Sequence, residues 1–137
     1  SGLSRRVVNG SVLYAPVVVF ELGDHALVFV SGLLARDADG AVVGVHDMAG
    51  QIHRVGANLE IALASVGASL QDLVRTTTYV TDIDAFFLHT QARQRYFGPA
   101  LPTSTTVQVQ RLSDPRFMVE VEAMAIIPAS RLATELP

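Results

Sequence analysis

The chain has 137 residues, half of them hydrophobic, 17% charged, with a net charge of -3. That is enough material for one domain with a real core, and no apolar run approaches the ~18 residues that span a bilayer. Cysteine and lysine are both absent, which excludes disulfides, thiolate metal sites, a cysteine nucleophile and a Schiff-base lysine.

The first residues lack the charged, apolar and small-residue order of a secretory signal, so a soluble, cytoplasmic protein is expected. Val17 to Glu21 and Ala26 to Leu34 are β-branched or aromatic runs separated by Gly23-Asp24, and read as a hairpin. From Gln51 to Val66 the apolar residues Ile52, Val55, Leu59, Leu63 and Val66 recur every three or four positions, with Gly67 as a stop; this is an amphipathic helix. Leu73 to Val80 suits a strand. Asp82 or Asp84 can cap a second helix ending near Gly98-Pro99. Two further strands, about 103 to 111 and 117 to 127, are joined through Ser113-Asp114-Pro115-Arg116. The order is ββαβαββ, an α+β fold with one sheet and two helices on one face, in a single domain with its core at about 16 to 127.

Helices cover only one face of such a sheet, so polar residues on the strands carry the functional information. Alternation puts Ser104, Thr106, Gln108 and Gln110 on one side of their strand, and Glu120 and Glu122 together on one side of theirs. If the intervening turn centres near Asp114, Gln108 lies opposite Glu120 and Thr106 opposite Glu122. Two carboxylates on one face, in a partly dry cleft, raise each other's pKa toward neutrality and suit proton transfer; the alternative is pairing with Arg75 or Arg111 across a solvated sheet. The scattered arginines form no basic stripe, so nucleic acid is not an expected partner. His46 and His53 lack the i, i+4 spacing of a zinc face and His25 sits in a turn, so no metal and no cofactor are expected. The abundance of Ala, Val and Arg without Lys suggests a GC-rich bacterial genome.

The segment Pro102-Thr103-Ser104-Thr105-Thr106-Val107-Gln108-Val109, the strand Val119-Glu120-Val121-Glu122-Ala123, the strand end Val30-Ser31-Gly32 and the helix entry Asp82-Ile83-Asp84-Ala85-Phe86 together resemble the Rid (YjgF) family of enamine/imine deaminases. The resemblance implies a chorismate-mutase-like fold, a homotrimer with ligand clefts between subunits, and hydrolysis of small imines. It gives Glu120 the role of holding the attacking water, together with a backbone carbonyl near Thr106. It also makes Ser31 and Gly32 substrate-binding candidates; Thr105 is a further candidate, and Ser104, Thr106 and Gln108 can recognise a neutral polar group. Three positions depart from the family pattern. Ser104 stands where the Pro-x-Arg arginine clamps a carboxylate, Thr90 stands where a helix asparagine is usual, and the N-terminal site tyrosine falls near Pro16 or Val17, with Tyr14 close enough to substitute. Arg93, one helical turn beyond Thr90, can supply another anion clamp, or the substrate has no carboxylate there. His89 is a candidate proton shuttle. Ser104 as a nucleophile lacks His and Asp partners arranged for it. Three functions stay open: an imine or enamine deaminase of altered specificity, an enzyme of another reaction on the same scaffold, and a non-catalytic ligand-binding trimer.

Overall fold

The computed structural model describes residues 2–6 and 13–133. Six strands form one mixed sheet: β1 (Leu3–Arg6), β2 (Val17–Leu22), β3 (His25–Leu33), β4 (Leu73–Val80), β5 (Thr103–Gln108) and β6 (Val119–Pro128). Their spatial order is β1-β2-β3-β6-β4-β5. The β2–β3 hairpin forms as the Gly23-Asp24 break predicts, with Val17 opposite Val30 and Leu22 opposite His25. The sequence reading had no strand at Leu3–Arg6; it pairs antiparallel with β2 at the sheet edge.

The apolar periodicity correctly placed α1, which runs Met48–Ala64. It begins three residues earlier than the pattern because Asp47 accepts a hydrogen bond from the Gly50 N–H, capping the first turn. The predicted second helix is two: α2 (Ile83–Phe87) and α3 (Thr90–Phe97). On one unbroken helix Phe86 and Ala92 would point about 120° apart, whereas the break at Leu88-His89 lets both be buried. α3 lies close on α1 because Gly56 leaves room for the Tyr96 ring, which a methyl group there would overlap.

All three helices cover one face of the sheet. Leu59, Leu63 and Val66 pack on Val17, Val28, Ala125 and Ile127. Ile52, Val55, Phe86 and Ala92 pack on Val80, Val119 and Val121. Gln51 is fully buried, and its amide donates to the carbonyls of Gly44 and Arg116 while its oxygen accepts from the Met118 N–H at 2.8 Å. A residue that reads as the first turn of an amphipathic helix thus fastens α1 to the entry of β6.

The largest difference from expectation is the neighbour of β5. It pairs in parallel with β4, with Thr76 opposite Ser104 and Thr78 opposite Thr106. β6 lies on the other side of β4, antiparallel, with Tyr79 opposite Glu120 and Thr77 opposite Glu122. Gln108 is therefore not opposite Glu120, nor Thr106 opposite Glu122, and β5 and β6 are not a hairpin. The ten residues between them are long enough to carry the chain past β4, which a tight turn at Asp114 could not do.

Candidate functional site

The strand register divides the sequence-predicted site residues between the two faces of the sheet. β6 turns Val119, Val121 and Ala123 toward the helices, so Glu120 and Glu122 project from the open face. Their cross-strand neighbours Tyr79 and Thr77 project with them, as does Thr105, which lies opposite Thr77. Ser104 and Thr106 belong to the other set, beside Thr76 and Thr78 on the helix side. Within the chain, Glu120 and the Ser104 group cannot meet.

On the open face, Glu120 lies against the end of β3. The bulge between Val30 and Leu33 brings Gly32 under it, and a methyl group at Gly32 would overlap the Glu120 carboxylate. The absent side chain is what allows the carboxylate to lie on bare backbone. Burial, and after it the charge of Glu122, push the Glu120 carboxyl above the usual carboxylate range. Glu122 is held differently: it accepts a 2.6 Å hydrogen bond from the Tyr79 hydroxyl, and that bond, reinforced by burial, raises the phenol above its ordinary value. Neither carboxylate pairs with an arginine among the described residues. Arg111 instead donates to the carbonyls of Leu112 and Ser113.

Beside this pair lies a concavity of about 430 Å³ lined by Val18, Phe29, Ser31, Thr77, Glu122 and Met124 among others. Tyr14 stands exposed next to Ala15, which lines its rim. The rest of this face is apolar and open: Phe20, Phe29 and Ile126 keep 37%, 41% and 38% of their surface exposed.

On the helix side, the edge of the sheet and α3 leave a second cleft of about 240 Å³. Thr90, Arg93, Gln94 and Phe97 line it, one face of α3 at helical spacing, opposite Thr76, Thr78, Ser104 and Thr106. The Arg93 guanidinium lies over the rings of Phe86 and Phe87, at 4.9 and 4.6 Å from their centroids. Its side chain has no hydrogen bond or ion pair among the described residues, and burial lowers its pKa below the usual arginine value while leaving it a cation.

Other candidates lie elsewhere. The Gln108 side chain accepts from the Ile83 N–H at 2.9 Å and is committed to the first turn of α2, which corrects its expected place on the Glu120 face. His89 precedes α3 as its N-terminal flank, makes no side-chain capping bond and does not line the cleft. Among the described residues, no three potential ligand side chains converge on a metal position. Sequence reasoning missed Tyr79, Thr76, Thr78 and the Phe86-Phe87 pair. The first three required knowing that β4 separates β5 from β6, and the last required the helix break.

The family model described as Endoribonuclease L-PSP matches residues 13–127. The chain is 33% identical over 98 residues to the RutC family protein PYRAB12510 of Pyrococcus abyssi, covering 72% of this chain and 76% of that one. It is 31% identical over 111 residues to the 3-aminoacrylate deaminase RutC of Acinetobacter baylyi, covering 81% and 86% respectively. Among solved structures it is similar to Rv2704 of Mycobacterium tuberculosis, a member of the YjgF/YER057c/UK114 family, with a TM-score of 0.72 at 33% identity, covering 91% of this chain and 99% of that one.

Proposed function

The chain belongs to the YjgF (Rid) family, and from that premise we propose that it is a small-molecule hydrolase that deaminates an imine or enamine in a cleft between subunits of a homotrimer. The observation that carries this reading is the Glu120 carboxylate, lying on Gly32 with its pKa raised by burial and by Glu122. A carboxylate so placed can accept a proton from a water and return it to a leaving amine. The water oxygen adds to the C=N carbon as the water gives up one proton and the nitrogen takes one, forming a carbinolamine; its hydroxyl then gives up the second proton, the nitrogen takes it, and the C–N bond breaks to release a carbonyl compound and ammonia. An enamine enters the same route once its carbon is protonated to give the imine.

Assembly is supported by the division of the site. Glu120, Ser31 and Gly32 project on the open face, while Ser104, Thr106, Thr90 and Arg93 border a cleft on the other. A ring of three subunits with heterologous contacts can place the open face of one against the β5 edge of the next, completing a site that neither contains alone. The apolar surface around Phe20, Phe29 and Ile126 suits burial in such a contact.

Ser104 in place of a clamping arginine argues for a specificity altered from the usual 2-imino acids. It also favours a second reading, in which the scaffold runs another reaction or binds a ligand without turnover. A ribonuclease activity has less support from a chain of net charge -3 without a basic stripe.

The test is ammonia release from freshly generated imines, with and without a carboxylate, by wild type, Glu120→Ala and Ser104→Arg, with the oligomeric state followed by sedimentation. Acceleration by wild type that vanishes in Glu120→Ala is the expected result. Acceleration only in Ser104→Arg would overturn the deaminase reading in favour of the second one.

A further inference from the structure

The helix-side cleft, which the deaminase reading makes one half of an intersubunit site, has a chemical character of its own. Thr76 and Thr78 are 1% and 3% exposed, line this cleft, and neither hydroxyl has a hydrogen-bond partner among the described residues. Buried hydroxyls are nearly always satisfied, by protein, by water or by a ligand. Facing them across the cleft is Arg93, a half-buried guanidinium with no ion-pair partner among the described residues. Buried cations are costly unless paired, so a cleft that holds one open also favours an anion entering it.

The aromatic rings account for its position. Phe86 is buried in the core and Phe87 lies next to it, so Arg93 is held over two ring faces that fix the cation while offering its N–H groups no acceptor. Those donors remain for a ligand. Ser104 and Thr106 add hydroxyls from β5 on the same side.

We propose that Arg93, with Thr76, Thr78 and Ser104, forms a carboxylate-binding pocket, so that the anion an arginine at position 104 would hold is held in this chain from helix α3. A single guanidinium matches one negative charge, and a cleft of about 240 Å³ suits a short acid of a few heavy atoms. A carboxylate therefore matches it better than phosphate, which carries more than one negative charge near pH 7. Holding the anion from the helix instead of the strand changes where the reacting carbon falls relative to the acid. That selects among imines by the separation of C=N from the carboxylate. The inference rests on the deaminase reading only in calling the acid a substrate; the binding itself does not.

The experiment is calorimetric binding of 2-oxobutanoate and 4-oxopentanoate, each beside its neutral amide, with inorganic phosphate as a further arm. The proteins are wild type, Arg93→Met, Arg93→Lys and Glu120→Ala. Methionine keeps the packing against Phe86 and Phe87 without the charge, and circular dichroism checks that each variant is folded. At least one acid is expected to bind wild type tenfold or more tightly than its amide. That preference is expected to vanish in Arg93→Met, to survive in part in Arg93→Lys and to be retained in Glu120→Ala. An acid preference that persists in Arg93→Met, no preference in wild type, or tighter binding of phosphate than of either acid overturns the proposal. Because binding is read without turnover, loss of the deaminase reading in the ammonia assay would leave this result standing, and the reverse holds as well.

Discussion

Gly32→Ala tests whether the glycine fixes the proposed catalytic carboxylate. The three atoms nearest an added methyl all belong to the Glu120 side chain: one carboxylate oxygen, Cδ at 2.9 Å and Cγ at 3.2 Å. The methyl group cannot be accommodated with Glu120 in place, but the obstacle is the end of a side chain and not backbone. Glu120 can turn away, at a cost of about 0.5–1.5 kcal/mol for a displaced rotamer, below the upper range of about 3 kcal/mol for overpacking a rigid core. Gly32 has no positive φ, so backbone strain adds nothing, and the reduced entropy of the unfolded chain returns about 0.4–1 kcal/mol. The net change in stability is therefore expected to be within about 1 kcal/mol, while ammonia release falls at least tenfold because the carboxylate has left its position. A double-mutant cycle with Glu120→Ala isolates the contact: in that background Gly32→Ala is expected to be neutral or stabilising. Urea midpoints at one fixed protein concentration, with initial rates of ammonia release, measure both quantities. If Gly32→Ala destabilises equally in both backgrounds, or leaves the rate unchanged in the presence of Glu120, the contact does not position the carboxylate.

Further outcomes follow from the same geometry. The Glu120 pKa is raised, so the rate of imine hydrolysis is expected to fall as pH drops through a value above the usual 4.5, and Glu122→Gln, which removes the neighbouring charge, should move that inflection to lower pH. The linked stability has the opposite sense. A folded-state pKa above the unfolded value favours the fold at low pH, and that contribution is lost as pH rises through the folded pKa, so Glu120→Gln should flatten this part of the stability profile in urea titrations. Gln51→Leu leaves the Met118 N–H and the Gly44 and Arg116 carbonyls without their buried partner, and thermal or urea unfolding should show a loss of about 3 kcal/mol or more.

Local signals were legible in the sequence wherever one element decides the outcome. The spacing of Ile52, Val55, Leu59 and Leu63 identified α1, and the alternation of Val119 to Ala123 set both glutamates on one face. Pairing between strands was not legible, because β4 satisfies β5 and β6 equally well by composition and only the length of the connection hints that β6 crosses to its far side. The helix break at Leu88-His89 was also hidden. No Pro or Gly marks it, and it follows from the need to bury Phe86 and Ala92 together. Gln51 was hidden for the converse reason: two of its three partners lie 65 and 67 residues away in sequence.

A shift of the strand order by one place moves Ser104 from the same sheet face as Glu120 to the opposite side, and with it changes the nature of the site. Had β5 and β6 formed a hairpin, a single subunit could have held both the water-positioning carboxylate and the Ser104 group. With β4 between them, each subunit carries one half on each face, and the proposed chemistry depends on association. Dilution should then reduce the specific rate more steeply than it unfolds the chain. The polar half bordered by Arg93 is free to change its way of holding an anion without disturbing Glu120, because Arg93 and Glu120 lie on different elements, on opposite faces of the sheet, with no hydrogen bond between them. A serine at position 104 beside an Arg93 on α3 that has no ion-pair partner among the described residues is an arrangement that this separation permits.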